Sequence, residues 1–284
     1  MKKFKNFALR RPFFFGVVLI FMYVILIYLT YPINFLFPDN EIGQLYSNAI
    51  IKLTISLIFL AILWRFGWTH ASGLTRFGGV KVWLVVAIIL VYHLLVNLRF
   101  MTGDLGIVFP DSPLAIPNLV YYFPASLMEE IMFRGLTLLA MVLAWGSTKK
   151  GVVKAVLLSS LLFGLIHLFN IVELSIEVVF LEVLVAALLG FFWAALTLAT
   201  RSLWPAIILH WLTNAAVNLK LIGIDNFQET FAMHVGRTIF FIPLVVFGAY
   251  LVWKLPESFQ NELSALQQAS FRANEMENRP PVSS

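Results

Sequence analysis

The sequence predicts an all-α membrane protein, a bundle of about eight transmembrane helices around a polar intramembrane cavity. Composition is the first ground: of 284 residues, 60% are hydrophobic and 12% charged, whereas soluble domains carry about 25% charged residues. Run length is the second, because several apolar stretches reach the roughly 18 to 20 residues that a helix needs to cross a bilayer. The third is a small set of ionisable side chains inside those stretches, where each costs at least about 2.5 to 3.5 kcal/mol and marks function by default.

The apolar segments run, in order, from about Phe13 to Tyr31, Ala49 to Trp64, Val82 to Leu98, Tyr121 to Trp145, Val152 to Phe169, Val178 to Ala199, Leu203 to Leu221 and Ile239 to Trp253. The first is long and has no small-residue cleavage site after it, so it is expected to stay as a membrane helix. From Lys254 the chain turns polar, and residues 254–284 read as a frayed cytoplasmic tail in which Phe259, Leu263, Leu266 and Phe271 allow a weak surface helix. Phe13-Phe14-Phe15 and Phe191-Phe192-Trp193 fall near segment ends and read as lipid anchors. Gly164 and Gly190 suit close helix approach.

Basic residues alternate between the two sides. Lys2, Lys3, Lys5, Arg10, Arg11, Arg65, Arg76, Lys81, Lys149, Lys150, Lys154, Arg201 and Lys254 share one side, leaving Lys52, Arg99, Lys220 and Arg237 for the other. That bias predicts eight crossings with both termini cytoplasmic. The net charge of +5 then sets topology and calls for no nucleic-acid partner; short loops point to a prokaryotic cell membrane. Cysteine is absent, which excludes thiolate metal sites, a cysteine nucleophile and prenylation of the chain itself, so chemistry must use oxygen or imidazole.

The intramembrane polar residues cluster by spacing. Glu130 and Arg134 are four apart and share a helix face, while Glu129 points about 100° away. Arg134 is expected to neutralise Glu130 and leave Glu129 as the unpaired carboxylate, suited to act as a general base for water. His210 and Asn214 also share a face, and His167 supplies a second imidazole from another segment. His93 has no polar neighbour at helical spacing and reads as a packing residue. Glu182 is the one member of the Glu173, Glu177 and Glu182 group expected to point inward, at a substrate entrance.

Glu129-Glu130-Ile131-Met132-Phe133-Arg134, Phe163-Gly164-Leu165-Ile166-His167 and His210-Trp211-Leu212-Thr213-Asn214 match, in order, the motifs EExxxR, FxxxH and HxxxN. The chain thus resembles the CAAX-protease and bacteriocin-processing (CPBP) family of intramembrane endopeptidases, over about residues 121–218. The resemblance implies a membrane protease domain spanning 1–253, peptide-bond hydrolysis in a membrane-associated protein or peptide, water activation by Glu129 and His167, and an oxyanion held by His210 and Asn214. No cofactor is favoured. A zinc-dependent variant of the family mechanism would use Glu129, His167 and His210 as ligands, but there is no HExxH spacing and Asn214 suits an oxyanion better than zinc. Two rival readings use the same residues: a noncatalytic immunity or scaffolding protein that binds a partner in the groove, and a proton-coupled transporter, against which no internal repeat is visible.

One conflict follows from the assigned topology. Glu129 and His167 fall in the outer half of the bilayer, while His210 lies only about 9 Å into its helix at 1.5 Å per residue. Either the seventh segment starts deep, with the stretch from Arg201 to Pro205 buried in protein, or the orientation is reversed.

Overall fold

In the computed structural model, the described residues are 1–102, 113–172, 174–219 and 231–277, and all their regular structure is helical. The helices are α1 (Lys2–Arg10), α2 (Pro12–Thr30), α3 (Glu41–Arg65), α4 (Val80–Thr102), α5 (Ala115–Glu130), α6 (Leu139–Trp145), α7 (Lys149–Leu165), α8 (Ile176–Thr200), α9 (Trp204–Leu219), α10 (Phe231–Trp253) and α11 (Glu257–Glu277). A π-helical stretch, Ile131–Leu138, joins α5 to α6, and 3₁₀ turns Tyr31–Leu36 and Ile166–Val172 extend α2 and α7. Glu173, Asp104, Asp111, Lys220, Asp225, Glu229 and the side chains of His93, Arg99, Arg237, Leu266 and Phe271 lie outside what the structure describes.

Each predicted apolar segment coincides with a helix, but length and composition qualify fewer as membrane spans. Pro12–Leu36, Glu41–Arg65, Lys149–Val172 and Ile176–Thr200 are long and apolar enough, and Thr238–Trp253 with Glu257–Ala265, bent by 70°, makes a fifth if counted as one. The stretch from α5 to α6 is divided by the π segment and carries Glu129, Glu130 and Arg134, and α9 has only 16 residues. Two of the three motifs, EExxxR and HxxxN, thus lie on stretches that fall short of that test, while FxxxH lies on Lys149–Val172, which passes it.

Helix starts follow capping chemistry. The Asn40 side chain accepts the Gly43 N–H at 2.8 Å and opens α3; Thr148 accepts the Gly151 N–H at 3.1 Å and opens α7. Pro12 occupies the first turn of α2, where its missing N–H costs nothing. The main packing pairs are α8 with α7 and α10, and α5 with α3 and α9. The EExxxR and HxxxN helices therefore pack directly on each other, and α7 packs on the π segment that follows α5.

Three expectations change. Helix α3 begins at Glu41, so Lys52 stands at mid-helix and not at the outer end of a span. Phe15 and Phe192 are fully buried and Trp193 nearly so; only Phe14 of the first aromatic run is largely exposed, so neither run is simply a lipid anchor. The segment after Lys254 forms α11, which buries Phe259 and Leu263 and is tied to the core by Gln267 Nε2 donating to Ala144 O at 3.2 Å.

The start of the helix that carries His210 is buried in protein, as one of the two solutions to the depth conflict requires. Ser202 and Leu203 are fully enclosed and Pro205 is buried. The α3–α4 connection lies over them: Leu203 N–H donates to Gly73 O at 3.2 Å, Trp204 Nε1 to Leu74 O at 2.8 Å, and Ser202 Oγ to Arg76 O. Gly73 has φ of +81°, and a Cβ there would stand 2.6 Å from Arg201 O, so only glycine permits this approach. Helix α9 consequently starts inside the protein, which carries His210 to the level of the two glutamates.

Candidate active site

Glu130 and Arg134 form the enclosed half of the site. Arg134 Nη1 donates to Glu130 Oε1 at 3.0 Å, with both side chains 1% exposed or less. Its Nη2 donates to Gly190 O at 3.2 Å, and the guanidinium lies 4.2 Å from the Phe163 ring centroid and 5.5 Å from that of Trp193. Charge, carbonyl and aromatic faces together compensate a cation that has left water. The phenylalanine of FxxxH thus has a physical role, as the floor under the arginine of EExxxR. A Cβ on Gly190 would stand 2.9 Å from Phe163 Cδ1 and 3.3 Å from Arg134 Nη2, and one on Gly164 would stand 2.6 Å from Val183 O. Close approach explains both glycines.

His210 lies between the two glutamates. Its Nδ1 is 2.8 Å from Glu130 Oε1 and its Nε2 is 3.6 Å from Glu129 Oε2. Trp193 stacks on the imidazole, with centroids 4.3 Å apart and planes at 18°. Glu130 is therefore shared between Arg134 and His210, a link the spacing argument missed because it considered one helix at a time. Glu129 makes no ion pair with the arginine among the described contacts and faces His210; at 22% exposure it is open to the cleft.

His167 sits just past the end of α7, its Nδ1 3.1 Å from Phe163 O. A carbonyl can only accept, so Nδ1 carries the hydrogen, and in the neutral ring Nε2 is the atom with the lone pair. The π segment bears on this geometry too: Thr137 Oγ1 donates to Met132 O, five residues back, at 2.9 Å. The wider turn begins directly after Glu130, and π-bulges often stand at functional sites.

A cleft of about 210 Å³ gathers Glu129, His167, His210, Asn214 and Glu182 with an apolar wall that includes Val185, Leu189 and Phe241. A larger adjoining cavity of about 760 Å³ shares Glu129, His167, Glu182 and Asn214 and is also bordered by Tyr23, Lys52, Tyr121 and Asn170. All six residues singled out from the sequence thus belong to one connected region, four at the cleft and Glu130 with Arg134 behind it. Glu182 reaches the cleft, where its Oε2 accepts from Asn170 Nδ2 at 2.9 Å. Among the described residues, no three His, Asp or Glu side chains are gathered as a metal-ligand set.

Trp193, Gly190, Asn170, Tyr23 and Lys52 are the site residues that sequence reasoning did not find. Only Lys52 carried a signal, as a cation in an otherwise apolar stretch.

Residues 111–216 match a family model described as Type II CAAX prenyl endopeptidase Rce1-like. No curated protein and no solved structure matches the chain.

Proposed function

Because residues 111–216 match the Rce1-like family model, and the chain is a multi-pass membrane protein by its apolar helices, we propose that it is an intramembrane endopeptidase of the CAAX-protease and bacteriocin-processing family whose eight apolar helices all cross the bilayer. It hydrolyses a peptide bond in a membrane-associated protein or peptide. The observation that carries this reading is the pairing of carboxylates: Glu130 is spent on Arg134 and His210, while Glu129 is left facing a cleft shared with His167 and Asn214.

In the proposed reaction a water lies between Glu129 and the substrate carbonyl. Glu129 takes the water's proton, with His167 Nε2 as the neighbouring acceptor, while the oxygen attacks the carbonyl carbon. The tetrahedral oxyanion is held by Asn214 and His210, whose Nδ1–H is committed to Glu130, so that Nε2 donates only from the imidazolium form. The proton then passes from Glu129 to the leaving amine. Apolar residues along the cleft, Val185, Leu189 and Phe241, suit an apolar or lipidated segment next to the cut, so prenylated carboxy-terminal peptides belong among the first substrates tried.

This mechanism needs no metal. The purified protein in vesicles is expected to cleave members of a membrane-peptide library, prenylated peptides included, with activity that survives chelation. Stoichiometric zinc in active protein, with activity lost on chelation and restored by zinc, would overturn the metal-free mechanism; failure to cleave any member would contradict the protease reading.

A further inference from the structure

Lys52 is a cation at the middle of a membrane helix, and the family motifs do not account for it. It lies eleven residues after Glu41 and thirteen before Arg65, the ends of α3, or roughly 16 and 20 Å from them at 1.5 Å per residue. A lysine side chain cannot snorkel that far to either interface. It is also not neutralised: among the described residues no carboxylate lies within ion-pair reach of it. Its Nζ donates to Tyr23 Oη and sits 4.7 Å from that ring's centroid. An ammonium has three donors, so Tyr23 leaves two for another partner. Lys52 borders the 760 Å³ cavity that also holds Glu129, His167 and Asn214.

The cavity contains a second fixed charge of known partner. Glu182, on α8, is held by Asn170 of the turn after α7, whereas Lys52, Tyr23, Tyr121 and Tyr122 come from α2, α3 and α5. The cavity is therefore lined by the Lys52 ammonium and by two carboxylates, Glu182 of α8 and the proposed water-activating Glu129 of α5, with His167 sharing the same space.

We propose that Lys52, with Tyr23 positioning its ammonium, is a subsite for a carboxylate of the substrate, which sets the direction in which the peptide enters the cleft. This deepens the protease reading and rests on it for the identity of the ligand as a substrate. Two sources present the same chemistry, a free carboxy terminus and an acidic side chain near the cut.

The test uses the full chain in phosphatidylcholine vesicles, where no anionic headgroup competes. Matched membrane peptides carry a free acid or an amide at the carboxy terminus, and Glu or Gln near the scissile bond. Binding is read on Glu129→Gln protein, so that it does not depend on turnover, and cleavage is read on the parent. One charge-assisted contact, at about 1.5 to 3 kcal/mol, predicts that carboxylate-bearing peptides bind about ten-fold or more tightly than their neutral partners. In Lys52→Met that ratio is expected to collapse towards one, and in Lys52→Arg to persist; thermal melts establish that each variant is folded. Preference confined to the terminus identifies a terminal carboxylate, and preference confined to the Glu/Gln pair an acidic side chain. Carboxylate-selective binding without cleavage by the parent would keep the subsite and sink the protease. Equal binding of acid and neutral peptides, no binding of either, or an unchanged ratio in folded Lys52→Met would overturn the subsite.

Discussion

Arg134 shows how much of this site is decided by single side chains. It is enclosed, and it is satisfied by Glu130, Gly190 O and two aromatic faces. Removing one partner of a buried ion pair strands the other, so Arg134→Met is expected to lower stability by about 3 to 5 kcal/mol, read as a large fall in melting temperature. A melt unchanged from the parent would mean that Glu130 does not depend on it. Asn214 belongs to the proposed reaction instead: Asn214→Ala is expected to leave the melt nearly unchanged and lower kcat by about 10² to 10³-fold, the usual cost of one oxyanion donor. The carboxylates, imidazoles and amide were legible in the sequence because ionisable groups are expensive in a membrane segment. Trp193 was not, since an aromatic residue in an apolar helix looks like packing; nor was the Gly190 carbonyl, because every residue carries one.

At the scale of elements, geometry depends on close approaches and on where helices begin. Gly190→Ala would press a methyl group against Phe163 and Arg134, with an expected cost of about 1 to 3 kcal/mol by overpacking; a melt as stable as the parent's would show that α8 can move aside. The sequence located each apolar helix, but its boundaries were set by hydropathy alone. Placing the second segment at Ala49 hid the turns that precede it, which are polar enough to escape a hydropathy window yet start at a sound cap, Asn40 on Gly43. That error of two turns made Lys52 look like an end residue. The depth of α9 was beyond sequence reasoning for a different reason: it is fixed by tertiary contacts from Gly73 and Leu74 of a distant connection to residues 203 and 204. The π segment was equally hidden, as nothing in Ile131 to Leu138 distinguishes it from α-helix by composition.

On the scale of the whole molecule, several of the described basic residues collect at one end of the bundle. Lys5 donates to Phe66 O at 2.6 Å, Lys149 to Trp253 O at 2.9 Å, and Arg201 pairs with Glu262 of α11. Such a cluster suits the cytoplasmic face, with α11 docked against it. The absence of cysteine makes single-cysteine labelling a direct check. Cysteines placed at Ser147 and at Ser258 are expected to react with a membrane-impermeant reagent from the same side, and one at Asn40 from the opposite side; Ser147 and Asn40 reacting from one side would contradict the arrangement. The docking of α11 was not legible in the charge pattern, because two buried residues, Phe259 and Leu263, turn a polar segment into part of the fold.

Glu129 is the centre of the account, since every other group at the cleft is assigned by its relation to that carboxylate. The decisive measurement compares cleavage of one accepted membrane peptide by the parent and by Glu129→Gln, both reconstituted and both shown to be folded by their melts. The account predicts that cleavage falls by several orders of magnitude in the variant while peptide binding remains. Cleavage by folded Glu129→Gln at the parent's rate would contradict it.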